Sequence, residues 1–130
     1  MKILIAEDDF ITGQVMMEIL NEYGICELAV DGAKAIDHFK QALISSEPYN
    51  VVFLDIMMPE KTGQEVLAEI KILEDERGIR GLDGVKIIMT TALDDFENIK
   101  VAFHNQCDGY IVKPIDVAKI ESKLSDLGLI

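Results

Sequence analysis

Five short apolar runs alternate with five segments whose apolar residues recur every three or four positions. Ile3 to Ala6 precedes Phe10 to Tyr23, where Ile11, Val15 and Ile19 form one row and Met16, Leu20 and Tyr23 another, a helical spacing stopped at Gly24. Leu28 to Val30 reads as a short strand and Ala33 to Ser46 as a helix with Ile36, Phe39 and Leu43 inward; Pro48 keeps that helix from continuing. A third run closes at Asp55, and Thr62-Gly-Gln-Glu65 fits a capping box opening a helix that carries Val66, Leu67, Ile70 and Leu73. Gly78, Gly81 and Gly84 mark a loop before a strand from Val85 to Thr90. Asp94 or Asp95 can cap a fourth helix with Phe96, Ile99, Ala102 and Phe103 on its apolar side. Gly109 to Val112 is a fifth strand, and Asp116 caps a last helix bearing Val117, Ile120, Leu124 and Leu127. Repeated strand-helix units imply an α/β fold with a parallel sheet covered on both faces. At 130 residues and 14.5 kDa the chain suits one domain, 1–130, with no separate output domain.

Charge narrows the function classes. With 24 acidic against 12 basic residues the net charge is -12, which opposes the phosphate attraction behind nucleic-acid binding, so no direct nucleic-acid partner is expected. Cys26 and Cys107 stand without a CxxC pair or histidine spacing and are read as inert thiols of a reducing compartment. No apolar run approaches transmembrane length and no signal-peptide core opens the chain; a soluble, cytoplasmic protein without a membrane partner is expected. A flavin carrier would need a phosphate-cradling loop after the first strand, where Glu7-Asp8-Asp9 would repel the flavin phosphate. A nucleotide hydrolase would need GxxxxGK[ST], which is absent.

The strand ends carry the chemistry. In a sheet of this kind ligands bind outside the carboxyl ends of the strands, where Glu7, Asp8, Asp9, Asp55, Thr91 and Lys113 all fall. Converging carboxylates repel, and a hard divalent cation compensates them, magnesium above all because it prefers oxygen and bridges carboxylates to phosphoryl groups. Lys113 can neutralise a phosphoryl oxygen, the Thr91 hydroxyl can donate to another, and a carboxylate among them can act as nucleophile to form an acyl phosphate.

Four separated motifs, Asp8-Asp9, Asp55-Ile-Met-Met-Pro59, Thr91-Ala92 and Lys113-Pro114, occur in an order that resembles the receiver domain of two-component response regulators, chemotaxis-regulator-like and spanning essentially the whole chain. The resemblance implies a flavodoxin-like doubly wound sheet of five parallel strands, order 2-1-3-4-5, with five helices. It implies that Asp55 is the phosphoacceptor and that Mg2+ is held by Asp9, Asp55 and the backbone carbonyl of Met57, with Asp8 acting through water. Lys113 would contact the phosphoryl oxygens, Thr91 would move toward them, Tyr110 would be the switch aromatic, and a cis peptide bond would precede Pro114. The implied protein is a phosphoacceptor that assists its own phosphorylation and dephosphorylation, not an enzyme in the usual sense. Its implied partners are a sensor histidine kinase or histidine phosphotransfer protein and a downstream protein target docked on the fourth helix, fifth strand and fifth helix, roughly 96–127. It would be a monomer or a weak phosphorylation-dependent dimer. A phosphorylation-independent interaction module with the same fold is the rival reading.

Other residues receive plainer readings. Glu7 is read as a solvated bystander, since neighbours on a strand point to opposite faces and Glu7 shares a side with Asp9 only if Asp8 stays extended. His38 and His104 are read as surface residues, and the methionines as core or rim filler. Met57 and Leu93, both apolar, lie two residues after Asp55 and Thr91, where a polar group could orient an attacking water; slow autodephosphorylation is expected.

Overall fold

The computed structural model describes residues 1–92 and 95–130; Asp94, one of the two expected caps, and Leu93 fall outside the described residues. Its elements alternate as the apolar spacing demands: β1 (Lys2–Ala6), α1 (Phe10–Leu20), β2 (Ile25–Ala29), α2 (Gly32–Ile44), β3 (Val51–Asp55), α3 (Gly63–Glu76), β4 (Lys86–Thr91), α4 (Phe96–His104), β5 (Gly109–Val112) and α5 (Val117–Asp126). A single 3-10 turn, Gly81–Asp83, lies in the glycine-marked loop. All strands are parallel, in the order β2-β1-β3-β4-β5, which is the expected flavodoxin-like arrangement.

Side-chain alternation along the central strands builds two cores. Ile3, Ile5, Val51, Phe53, Ile88 and Ile111 pack with Met16 and Leu20 of α1 and with Ile120 and Leu124 of α5. Leu4, Ala6, Val52, Leu54, Ile87 and Met89 face the other way, against α2, α3 and Ala102 of α4. Burial on both faces explains why β1 and β3 read as continuous apolar runs.

The helix starts follow side-chain capping. Asp9, Asp31 and Asp116 accept from the backbone N–H groups of Thr12, Lys34 and Lys119, and Thr62 with Glu65 forms the expected reciprocal box. Asp95 occupies the N-cap of α4, but its carboxylate accepts from the Asn98 side chain and not from the backbone.

Several boundaries and faces differ from the sequence reading. Strand β2 begins at Ile25 and ends at Ala29, and as an edge strand of the sheet it holds a polar member, Glu27, hydrogen-bonded by the Tyr49 hydroxyl. Helix α1 buries only the Met16 and Leu20 row, leaving Ile11 72% exposed. Phe96, Phe103 and Val117 are likewise exposed, because α4 and α5 each bury one narrow stripe, Ile99 with Ala102 and Ile120 with Leu124.

Candidate functional site

Parallel register brings the chemistry to one edge. Asp55 ends β3 opposite Thr90 of β4, and Thr91 pairs with Val112, the residue before Lys113. Glu7 continues the β1 ladder one residue past the strand, donating its N–H to the Ala29 carbonyl at 3.0 Å, so its side chain still obeys the strand's alternation. The expectation of a solvated Glu7 is therefore corrected: it is 1% exposed. Its Oε1 lies 2.7 Å from Lys113 Nζ, and the same ammonium stands 3.3 Å from Asp55 Oδ2.

Carboxylate oxygens of Glu7, Asp8 and Asp55 lie within 4.8 Å of one another, the one such acidic grouping among the described residues. Asp9, expected as a direct metal ligand, lies outside that grouping. Its Oδ2 accepts from Thr12 N at 2.9 Å and from Thr12 Oγ1 at 2.6 Å, and these bonds hold its carboxyl below the usual range. The pair that meets Asp55 is thus one residue earlier in the chain than the motif reading has it. The signal was present: an aspartate immediately before the first helical residue, with a threonine three positions on, is an N-cap pattern.

Two buried carboxylates beside one ammonium set unusual proton affinities. Burial, then the neighbouring Glu7 carboxylate, pushes Asp55 up to about 7, against the downward pull of Lys113 and of the Met57 N–H at 3.3 Å. Burial also opposes ionisation of Glu7, but Asp55 and Lys113 outweigh it and its pKa is lowered. Glu7 is therefore the more acidic member of the pair. Glu7 Oε1 is buried and lacks an aligned hydrogen-bond donor. Three oxygen donors with one cation between them fit a hard divalent ion: Glu7, Asp8 and Asp55 would hold it.

The surroundings fix this cluster. Gly63 begins α3 directly against the end of β3; its N–H donates to the Ile56 carbonyl at 2.8 Å, and a Cβ there would lie 2.7 Å from Ile56 Cα. Thr91 is buried and its hydroxyl donates only to the neighbouring Ala92 carbonyl, at 3.3 Å. Met57 is 65% exposed at the rim. The Lys113-Pro114 bond is cis, as the resemblance implies. Lys119 Nζ donates to the carbonyls of Val112, at 3.0 Å, and Pro114, at 2.8 Å, spanning the turn that carries Lys113. Tyr110 is half-buried, edge-on to Phe103 at 6.0 Å, with Lys123 Nζ 5.7 Å from its ring centre. His38 and His104 stand away from this edge, on α2 and at the end of α4. Among the described residues no helix is long and apolar enough to cross a membrane.

Comparison with known proteins agrees with this geometry. The response regulator receiver domain model matches residues 3–125. The osmosensing histidine protein kinase SLN1 of Saccharomyces cerevisiae is 33% identical over 96% of the chain, which spans 10% of that protein. The chemotaxis protein CheY of Halobacterium salinarum is 30% identical, with 97% of this chain and 95% of that protein covered. Among solved structures, the co-crystal of the Saccharomyces cerevisiae histidine phosphotransfer protein Ypd1 with the receiver domain of Ssk1 superposes with a TM-score of 0.84 at 25% identity, covering 98% of this chain and 88% of that one. The chain spans only about a tenth of the histidine kinases it matches. An acidic pocket around a strand-end aspartate, a lysine reaching it from the last strand and a matching family model lead to one assignment: the chain belongs to the response regulator receiver domain family of two-component phosphorelay systems.

Proposed function

We propose that Asp55 accepts a phosphoryl group from a phosphohistidine, and that Glu7, Asp8, Asp55 and the Met57 carbonyl seat the Mg2+ this transfer uses. The observation that carries the reading is the convergence of Asp55 with Glu7, Asp8 and Lys113 at the carboxyl edge of the sheet. Bound there, Mg2+ would offset the charge of the carboxylates and of the incoming phosphoryl oxygens. An ionised Asp55 oxygen attacks phosphorus in line, the N–P bond breaks, and the imidazole leaves with the bonding electron pair. Lys113, already beside Asp55, neutralises a phosphoryl oxygen, and the Thr91 hydroxyl exchanges its weak bond to Ala92 for one to another oxygen.

Movement of Thr91 would bias the packing of Tyr110 and Phe103 and so reshape the surface of α4, β5 and α5, roughly 96–127, where a downstream protein would dock. That surface carries exposed Phe96, Val101 and Phe103. A sensor histidine kinase or histidine phosphotransfer protein is the donor that relatives of this kind support. Acetyl phosphate with Mg2+, followed by mass measurement of the intact protein, tests the proposal. A phosphoryl mass that appears in the unsubstituted chain and is absent from Asp55→Asn is expected. No added mass leaves instead an interaction module that signals without phosphorylation, and a mass that persists in Asp55→Asn overturns Asp55 as the acceptor.

A further inference from the structure

The loop between β3 and α3, residues 56–62, is pinned from a third element. Its α3 end is fixed by the Thr62 and Glu65 capping box and by the Gly63 N–H bond to the Ile56 carbonyl. Its middle turns tightly, with Lys61 N donating to the Pro59 carbonyl at 2.8 Å and Glu60 in the left-handed region at φ 69°. Against this turn sits the first residue of α2, Gly32. A Cβ on Gly32 would lie 2.6 Å from Lys61 Cβ and inside the 3.0 Å limit of the Lys61 carbonyl oxygen.

We infer that Gly32, on a different element from every side chain of the pocket, is a positioning residue for the metal-binding loop. If a side chain were placed at 32, either α2 or the loop would have to yield. Helix α2 is anchored in the core by Ala35, Ile36, Phe39 and Ala42, all buried, and its start is capped by Asp31 at 2.8 Å from Lys34 N. The loop belongs to no strand or helix; Ile56 and Met58 reach the core from it, whereas Met57 is largely exposed and Pro59 and Glu60 lie at the surface. The loop is the softer partner and gives way. With Thr62 and Gly63 held by α3, displacement is confined to the stretch from Met57 to Lys61. That stretch contains the carbonyl assigned to Mg2+ and the N–H that meets Asp55 Oδ1. Bare backbone at Gly32 thus sets the metal seat from outside it, as supporting residues around metal ligands do.

The inference rests on the metal site proposed above, and calorimetric titration with Mg2+ alone separates the two. Gly32→Ala is compared with Gly24→Ala, a close approach of similar severity to the Met1 backbone at the far end of β1. Both should lower the metal-free melting temperature, but only Gly32→Ala should weaken Mg2+ binding, by roughly tenfold. The Gly24 variant should stay within about twofold of the unsubstituted protein. Should Gly32→Ala fail to fold, Asp31→Ala and Asp31→Asn provide a second pair, both uncharged, of which only asparagine can still cap α2; the alanine variant should bind Mg2+ several-fold more weakly. No Mg2+ binding by the unsubstituted protein overturns the metal site itself. Binding that is equal in the two glycine variants, or in the two Asp31 variants, overturns the role of Gly32 alone.

Discussion

Glu7 and Lys113 meet through Oε1 and Nζ at 2.7 Å, and that contact supplies the one ammonium available to two buried carboxylates. Burial alone would lower the Lys113 pKa, but Glu7 and Asp55 outweigh it and the value stands above that of an ordinary lysine. Removing one partner of a buried ionic group leaves uncompensated charge, at a cost of several kcal/mol in full burial. Lys113 is 28% exposed, so a smaller loss applies. Lys113→Met should destabilise the metal-free protein by about 2 kcal/mol, read as a shift in the urea midpoint. Saturating Mg2+ should narrow the gap, because a second cation then serves the same carboxylates. An unshifted midpoint would show that the pair contributes nothing.

Asp55 and Glu7 impose opposite pH dependences on the metal-free fold. Asp55 rises from 3.8 to about 7 on folding, so the native state binds the extra proton between those values and its stability falls as pH climbs through that window. Glu7 is lowered below 4.5, so its contribution is present above that pH and is lost as pH falls toward its folded pKa. The melting temperature in chelator should therefore peak between the two unfolded values, at about pH 4, and decline toward neutrality. Asp55→Asn should flatten the neutral decline while leaving the acid limb in place. A melting temperature that rises steadily from pH 5 to 8 would contradict the assignment.

Legibility of the fold and of the site differed for physical reasons. The alternation of strands and helices, the two-faced burial of β1 and β3 and the Thr62 box follow from local periodicity and capping, which short windows of residues express fully, whereas the strand order is non-local and comes from the resemblance alone. The burial of Glu7 is not legible locally, because it depends on the β1 ladder running one residue past Ala6, through the Glu7 N–H bond to the Ala29 carbonyl. One Asp9 oxygen already serves Thr12 twice, a local use that removes the side chain from a site to which its charge alone would assign it. Gly32 and Gly63 carry no sequence signal, because their role is to meet the backbone of Lys61 and of Asp55 and Ile56, distant in sequence, and only the packed fold shows what a Cβ would strike.

Lys119 spans the turn that presents Lys113, donating to the carbonyls on either side of it. Those bonds hold the turn, not the phosphoryl group. Lys119→Met retains the aliphatic stem but removes the donor. Phosphorylation of Asp55 by acetyl phosphate should slow several-fold while Mg2+ affinity is unchanged, since no metal ligand sits on that turn. A parallel loss of Mg2+ affinity would point to wider disruption, and an unaltered rate would show that the turn holds without it.

Met57 covers the rim with a largely exposed thioether, an apolar group that cannot orient a water toward the phosphoryl group on Asp55. Hydrolysis of an aspartyl phosphate needs that water in line with the breaking bond, and positioning is the main lever a protein has over such a step. Met57→Asn places a donor and an acceptor at the same rim position without touching the carboxylates or Lys113. The phosphorylated form of the unsubstituted protein should be long-lived, and Met57→Asn should shorten its lifetime several-fold at equal Mg2+ occupancy, followed by loss of phosphoryl mass after the donor is removed. Adding Leu93→Glu, a second polar group two residues past Thr91, should shorten it further. A rapid decay in the unsubstituted protein that neither change alters would mean that water reaches the phosphoryl group unaided, and that these apolar side chains do not govern how long the signal lasts.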